Sequence, residues 1–470
     1  MKLRFLTERD CARIHETALA ILETVGVRVH HERSRALLVE RGAQPHPTAP
    51  EALRLPARLV REAIAMAPKA FAVTDRAGRR YAVENGAASM VFTGNGLHYQ
   101  PGVGPDIAPI MTRDFAEFCR VAEACSNIHG VVAPCLHDVP PTARDVMGLV
   151  TLLENSTKHL RPCVYSPAGA EYFLEMAQVV AGGKLRENMF LSMGYSCVSP
   201  LTWSHAACEL FWCTAGRGVP MMLNSEPMAG GTSPVTLAGS LALADAEVLS
   251  GLVLLQAIEE GRPAIYNAGF AHVLEMKTLL TLTGAAENAL LQSAGAQMAV
   301  FHGLPSAAWS LTDSCMTDAQ AVAEKQGMLL SHLLSGVNFV WGAGNLETSR
   351  TISPVNLVID DALAGWAARV GRGITVDAEH LALEVIQQAG FEGRYLENEH
   401  TLDNYLEEID YPALPNRHLR AAWQDKGSKS MEQEAAGRVT DILAAPAVPL
   451  LDEATSVEIH RLAKAWMASI

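Results

Sequence analysis

The sequence predicts an α/β fold closed as a (β/α)8 TIM barrel, with a helical extension before it and a helical region after it. Three observations carry this. Eight short apolar runs recur through the middle of the chain, each with the length of a buried strand. Polar alternation is scarce within them, as expected for parallel strands covered on both faces. A longer helical pattern follows each run, and successive runs start roughly 27 to 44 residues apart, bracketing the ~30-residue spacing of a repeated βα unit. A doubly wound open sheet is the alternative. It usually carries a glycine fingerprint after its first strand, and Gly94-Asn95-Gly96 lacks the third glycine three residues on.

Residues 1–85 read as an N-terminal helical cap with a short hairpin. Thr7 with Asp10 resembles a capping box ahead of an amphipathic run of Ile14, Ala18, Ile21 and Leu22, which Gly26 ends. A second helix covers residues 32–40 and stops at Gly42. A third opens at Pro56, where the missing N–H costs nothing, and runs to Ala67. Residues 71–74 and 80–83 flank a DRAGR turn and read as a hairpin. The barrel is assigned to residues 86–374, with strands at 89–93, 130–136, 162–165, 189–195, 220–224, 263–267, 306–311 and 338–342. Helices are expected over 112–124, 145–154, 169–180, 202–215, 235–259, 275–301, 317–334 and 355–370. Gly216, Gly261, Gly303 and Gly336 supply stop signals, and Gln320 stands at the capping-box position of the helix starting at Thr317. Residues 375–470 are helical with breaks at Pro412, Pro415, Pro446 and Pro449, and are expected to pack on the barrel.

The bulk composition narrows the function. A formal charge of −14, from 37 basic and 51 acidic residues, argues against a nucleic-acid binder, which needs a basic stripe to neutralise phosphates. No apolar run is expected to reach the ~20 residues of a membrane span, and the N-terminus turns charged too quickly for a signal peptide. The nine cysteines are scattered and never spaced C-x-x-C, which reads as buried thiols in a reducing, cytoplasmic compartment.

A (β/α)8 barrel keeps its chemistry at the C-terminal ends of its strands, and that rule yields a short list of candidates. They are Asn95, His98 and Tyr99 after the first strand; Cys135, His137 and Asp138 after the second; and Tyr165 after the third. Tyr195, Ser196 and Cys197 follow at the fourth, and Asn224 and Glu226 at the fifth. Tyr266, Asn267 and Phe270 come from the sixth, Trp309, Asp313 and Cys315 from the seventh, and Trp341, Asn345, Glu347 and Arg350 from the eighth. Aromatic groups are concentrated in this list although they make up only 6% of the chain. Tyr99, Tyr165, Tyr195, Tyr266, Trp309 and Trp341 could form a cage for a quaternary ammonium, because ring faces attract cations. Each could equally fill a barrel layer. Glu226, Asp313 and Glu347 are the acid groups that would add a negative field, and each could instead cap a helix or pair with an arginine. Cys135 with His137 could ligate zinc, but no spacing nominates the further ligands such a site needs, so no resident metal is expected. Asp377 with His380, and His30 with His31, fall outside the barrel.

Several stretches together resemble the trimethylamine:corrinoid methyltransferase family. These are PMAGGTSPVTLAG at 227–239 with AEVL at 246–249, TDS at 312–314 with DAQ at 318–320, GAGNLE at 342–347 and EHT at 399–401. The pattern ETVGV at 23–27, with Leu55-Pro56 opening a later helix, is similar too. The resemblance implies a barrel that moves a methyl group from a methylated amine to the Co(I) of a separate corrinoid protein. The founding trimethylamine enzymes carry pyrrolysine, which is absent here; the resemblance places its counterpart around Asp313 to Cys315. Members without it are quaternary-amine demethylases, with glycine betaine the best-attested substrate class.

The residue list agrees with that chemistry. Co(I) is already a strong nucleophile and a quaternary ammonium leaves as a neutral amine, so the protein need only align the N–CH3 bond and exclude water. The expected cofactor is thus a corrinoid (cobalamin) held by a partner protein, and the chain itself is expected to form a homo-oligomer. Asn95, His98, His137, Asn267, Asn345 and Arg350 are candidates to bind a betaine carboxylate. A zinc-dependent barrel methyltransferase or hydrolase, and a non-catalytic quaternary-amine binder, stay open as alternatives.

Overall fold

The computed structural model describes residues 2–269, 272–412 and 414–469. Its centre is a ring of eight parallel strands, β1 (Met90–Thr93), β2 (Gly130–Val132), β3 (His159–Arg161), β4 (Met193–Cys197), β5 (Met221–Ser225), β6 (Ala264–Gly269), β7 (Ser306–Trp309) and β8 (Phe339–Ala343). Each strand lies beside the next in sequence. β8 closes on β1 with Phe339 opposite Met90 and Val340 opposite Val91. Between β3 and β4 the seam is narrow: the Leu160 N–H donates to the Phe190 carbonyl at 2.8 Å, and the Leu160 carbonyl accepts from the Ser192 N–H at 3.1 Å. The expected (β/α)8 barrel is present.

A helix follows each strand: α1 (Thr112–Ala124), α2 (Arg144–Asn155), α3 (Ala170–Val180), α4 (His205–Cys213), α5 (Leu237–Ile258), α6 (Ala286–His302), α7 (Ala319–Ser335) and α8 (Pro354–Arg372). Three expectations need correction. The third strand lies at 159–161, ahead of the expected 162–165. The sixth helix starts at Ala286 rather than 275, because a hairpin of His272–Leu274 and Thr281–Leu282 precedes it. Asp318, not Thr317, caps α7, its side chain accepting from the Ala321 N–H at 2.9 Å.

Strand parity sorts the side chains. On β5, Met222 faces the barrel interior while Met221 and Leu223 face the helices; on β6, Ile265 faces in and Tyr266 out. The interior cluster holds Phe92, Val132, Met222, Ile265, Phe339 and Trp341. A hairpin of Ala70–Thr74 and Arg80–Glu84 closes its N-terminal end, adding Val73 and Val83.

The outer layer rests on α5, whose mean hydropathy of 1.7 and 22 residues would suffice to cross a bilayer, contrary to the expectation that no such stretch exists. It is a core helix here, with 89% of its most apolar window buried. It packs beneath the N-terminal helices Glu8–Thr24 and Ala57–Met66 and against β5 and β6. Thr7 and Asp10 cap the first of those helices reciprocally, as their spacing predicts. An unexpected small sheet joins Val27–Val29, Ala52–Arg54 and Gln44–Pro45 to Thr202–Trp203, tying the N-terminal region to the β4 end.

The C-terminal region divides. Helices Met431–Ala444 and Glu453–Ser469 bury Ala435, Val439, Ile459, Leu462, Ala463 and Trp466. Helices Ala378–Leu381, Leu383–Ala389, Glu399–Glu408 and Arg420–Asp425 bury no residue at all. Packing on the barrel therefore describes only the last part of this region.

Candidate active site

A cavity of about 910 Å³ opens at the C-terminal ends of the strands, where the fold places chemistry. Eleven of the expected site residues line it, Ser196 and Cys315 among them. Asn95 comes from the β1 end, Tyr165 from beyond β3, Tyr195 from β4, and Asn224 and Glu226 from β5. Trp309 and Asp313 come from the β7 end, and Glu347 and Arg350 from beyond β8.

Ten other described candidates do not line it, His98, Cys135, Asp138 and Cys197 among them. Tyr266 points outward by parity and its hydroxyl donates to Asp245 of α5 at 2.7 Å, so it is a core residue. Trp341 points inward but lies below the cavity, 1% exposed, with its ring 4.1 Å from Phe92 and stacked at 9° on Phe339. Tyr99 is buried in a small sheet beside Ile352. Asn345 packs where any Cβ on Gly94 would sit and donates to the Asn95 carbonyl at 2.6 Å, positioning that loop rather than facing the cavity. Asn267 is buried behind Asn224, and the His137 backbone is tied to Ile110 away from the cavity. Phe270 falls outside the described residues.

Three adjacent strands organise the acid side of the cavity. Ser196, Asn224 and Asn267 stand in register across β4, β5 and β6. The Gly269 N–H donates to Asn267 Oδ1 at 2.9 Å, and Asn267 Nδ2 donates to Asn224 Oδ1 at 2.8 Å. Asn224 Nδ2 donates to Ser196 Oγ at 3.3 Å, and Ser196 Oγ donates to Glu226 Oε1 at 2.5 Å. Every donor in this chain points toward Glu226, so its carboxylate is held as an acceptor. Burial pushes the Glu226 acid up from its ordinary value, against opposing effects of the Ser196 hydrogen bond and the nearby Arg161 charge.

The other two acids differ. Asp313 is occupied: its Oδ1 accepts from the Thr283 N–H at 2.7 Å, the Thr283 hydroxyl at 2.8 Å and the Thr348 hydroxyl at 3.1 Å, while Oδ2 accepts from the Gly284 N–H at 3.0 Å. It joins three loops, which is a positioning role. Glu347, Thr348 and Ser349 form a left-handed turn with φ of 53°, 55° and 66°. Each such residue costs ~1 kcal/mol, and hydrogen bonds from Glu347 N–H to the Ser314 carbonyl (2.7 Å) and Thr348 N–H to the Thr312 carbonyl (2.9 Å) hold it. Glu347 Oε2 accepts from Thr351 at 2.7 Å.

Sequence reasoning missed Arg161 and His272, both in the cavity wall. Arg161 is the last residue of β3, but the strand was expected to begin after it. His272 belongs to the hairpin that replaces the start of the expected sixth helix. Burial lowers its imidazole to about 4, so it is neutral near pH 7. Among the described residues, the groups spaced to hold a metal are His15 with Asp245 and His302, and His31 with His205 and Glu209. Neither includes Cys135 or His137. Cys135 accepts from Arg144 at 3.4 Å instead.

Comparison with known proteins decides the family. Residues 1–467 match the trimethylamine methyltransferase (MTTB) family. The chain belongs to this family. It is 30% identical to the glycine betaine methyltransferase of Desulfitobacterium hafniense (strain Y51), covering 96% of this chain and 94% of that protein. It is likewise 30% identical to the trimethylamine methyltransferase MttB of Methanosarcina barkeri, covering 94% of this chain and 91% of the relative. The fold resembles the solved monomethylamine methyltransferase (MtmB) of Methanosarcina barkeri, with a TM-score of 0.51 at 12% identity, covering 93% and 94% of the two chains.

This trimethylamine methyltransferase family member is therefore a methyltransferase, and its family motifs have visible mechanical roles. In TDS, Ser314 Oγ donates to Asp318 at 2.9 Å and its N–H to Thr312 at 3.0 Å, shaping the β7 loop. In GAGNLE, Gly342 has φ 111° and a Cβ there would meet the Ser310 carbonyl at 2.4 Å. Buried Lys325 donates to the Gly342 carbonyl at 2.8 Å and to Asp360 at 2.6 Å, and Asp360 accepts from the Gly344 N–H at 2.7 Å. The β8 end that presents Glu347 is thus fixed from behind.

Proposed function

We propose that this methyltransferase demethylates a quaternary amine of the glycine betaine type and passes the methyl group to the Co(I) of a corrinoid carried by a separate protein. The observation that carries this reading is the convergence of Tyr165, Tyr195 and Trp309 with Glu226 and Glu347 on one cavity at the barrel mouth. Ring faces and carboxylates both favour an N-methyl cation. Its 30% identity to a glycine betaine methyltransferase supports the substrate class. A Co(I) corrinoid would supply the electron pair that takes the methyl carbon, and the departing amine would keep the N–C pair and leave neutral.

The mouth suits a large, flat acceptor delivered by another protein. Val235, Met276, Leu279 and Leu280 present exposed apolar side chains there, and Leu279 and Leu280 also line the cavity. Val235 and Met276 both approach Gly230, so the rim is continuous. Glu226 and Glu347 attract and orient the ammonium, the neutral His272 adds no competing charge, and the 272–282 hairpin helps exclude water. Asn95, Asn224 and Arg350 offer polar contacts in the same cavity.

A reducing cytoplasm belongs to this reading, because an oxidising compartment would consume Co(I). Self-association belongs to it as well. The encounter with a corrinoid protein has to turn over, whereas the apolar arm formed by helices 378–408 suits a permanent interface, and a second copy is the partner of that kind.

The test is a panel of methylated amines incubated with purified enzyme and cob(I)alamin, followed by absorbance. Conversion to methylcobalamin with glycine betaine-type substrates is expected. Transfer from trimethylamine alone, or from no amine, overturns the proposed substrate class.

A further inference from the structure

Three cations are buried among the described residues: Arg161, Arg262 and Lys325. Two have partners. Arg262 donates to the Phe211 carbonyl at 2.8 Å and to Thr214 at 2.6 Å, and Lys325 is paired with Asp360. Arg161 is different. Its residue is 8% exposed, its Nε is buried without a hydrogen-bond partner, and no carboxylate among the described residues lies within 4.0 Å of it, Glu226 acting on it only as a longer-range charge. Yet it lines the cavity.

The guanidinium is also held in place. It lies over the Trp341 ring, 4.8 Å from the centroid. Its Nη2 occupies the space beside Gly194, where a Cβ would stand 2.9 Å away. Trp341, expected to grip a substrate cation, instead supports a cation of the protein. A buried guanidinium left with free donors is an unfilled half of an ion pair, and its planar fork matches a carboxylate. Arg350, the other arginine of the cavity, is exposed, so it is under no such pressure.

We infer that Arg161 is the seat for the carboxylate of a zwitterionic quaternary amine, with the ammonium end directed toward Glu226 and Glu347. This rests on the methyl-transfer reading and adds the specificity element: a simple cation meets an unpaired positive charge in the cavity, while a zwitterion satisfies both poles. It takes the place of Asn95, His98, His137, Asn267, Asn345 and Arg350 as the carboxylate site expected from the sequence.

Binding by calorimetry, without any corrinoid, tests the seat directly. The probes are glycine betaine, its neutral carbon isostere 3,3-dimethylbutanoate, and choline, which keeps the cation and lacks the carboxylate. The wild type is expected to bind glycine betaine at least about tenfold more tightly than choline, and to bind dimethylbutanoate measurably. Arg161→Met should abolish dimethylbutanoate binding and bring betaine down to the choline level, while choline binding is kept or improved. Arg161→Lys, which retains charge without the fork, should fall between the two. Thermal melts of all three proteins confirm folding, and retained choline binding by Arg161→Met shows an intact cavity. Betaine affinity unchanged in Arg161→Met, or a wild type that prefers choline, overturns the inference. Methyl transfer from simple cations with no Arg161-dependent carboxylate binding sinks the seat and leaves methyl transfer standing. Arg161-dependent dimethylbutanoate binding with no methyl transfer from any amine sinks the reaction and leaves the seat.

Discussion

At the scale of single residues, strand parity decides which candidates reach the substrate. Tyr266 and Asn267 are adjacent on β6, yet one bonds Asp245 behind the strand and the other bonds Asn224 at the cavity side. Tyr266→Phe is therefore expected to cost about 1 kcal/mol, the net worth of a buried hydrogen bond, seen as a lower Tm with turnover unchanged. A large loss of turnover with an unaltered Tm contradicts the outward placement. Trp341→Ala is expected to cost roughly 3–5 kcal/mol, as for other large aromatic truncations in a core. Glu226 carries the pH dependence. Its acid form is raised by burial, so protonation removes the negative charge as pH falls through a value above that of an ordinary glutamate. Affinity for choline should decline across that window in the wild type, and Glu226→Gln should be weaker at neutral pH and flat over the same range. A wild type whose choline affinity is also flat with pH refutes this role. The residue types at the mouth were readable from the sequence, but the direction of each side chain was not, because a shift of one position exchanges the faces.

At the scale of elements, the eight-strand rhythm was legible because apolar runs and helical stop glycines recur together. Gly303 and Gly336 take left-handed conformations after α6 and α7, as their positions foretell. Short strands blur the exact ends. Reading β3 as 162–165 hid Arg161, the last residue of the strand, which lines the cavity together with the following Pro162 and Cys163. The apolar stretch LLTLTG at 279–284 reads as helix continuing into 286–302, whereas tertiary pairing with 272–274 makes it a hairpin. No local signal marks the left-handed turn at 347–349, which depends on bonds from a different loop. That turn is where the β8 end is most exposed to error. Gly342→Ala, which combines positive φ with a 2.4 Å approach to Ser310, should lower Tm and displace Glu347, so turnover falls further than stability alone explains. Glu347→Ala should lower turnover with little change in Tm, since its single side-chain bond is to Thr351. Equal activity of Glu347→Ala and wild type removes this turn from the site.

At the scale of the whole molecule, the barrel and its N-terminal cap share one continuous core, and the last two helices join it. The arm between α8 and those helices does not. Phe391 and Leu396 are fully or nearly fully exposed, and Leu402 and Leu406 line one side of helix Glu399–Glu408 at 69% and 68% exposure. Polar attachments hold the arm at its root, where Arg369 donates to the Glu408 carbonyl at 2.7 Å. Residues this apolar at i and i+4 have the pattern of a helix made to be covered, and leaving them in water forgoes ~1.5–3 kcal/mol for each fully buried side chain. If a second copy covers them, purified enzyme should sediment at a multiple of 50.5 kDa. The double variant Leu402→Glu, Leu406→Glu should shift toward the monomer, because charges at an apolar interface are desolvated without partners. The unfolding of the barrel itself should then persist as a separate transition, and choline binding should survive, since the arm contributes nothing to the cavity lining. A wild type that sediments as a monomer at micromolar concentration rules out the second copy as the occupant.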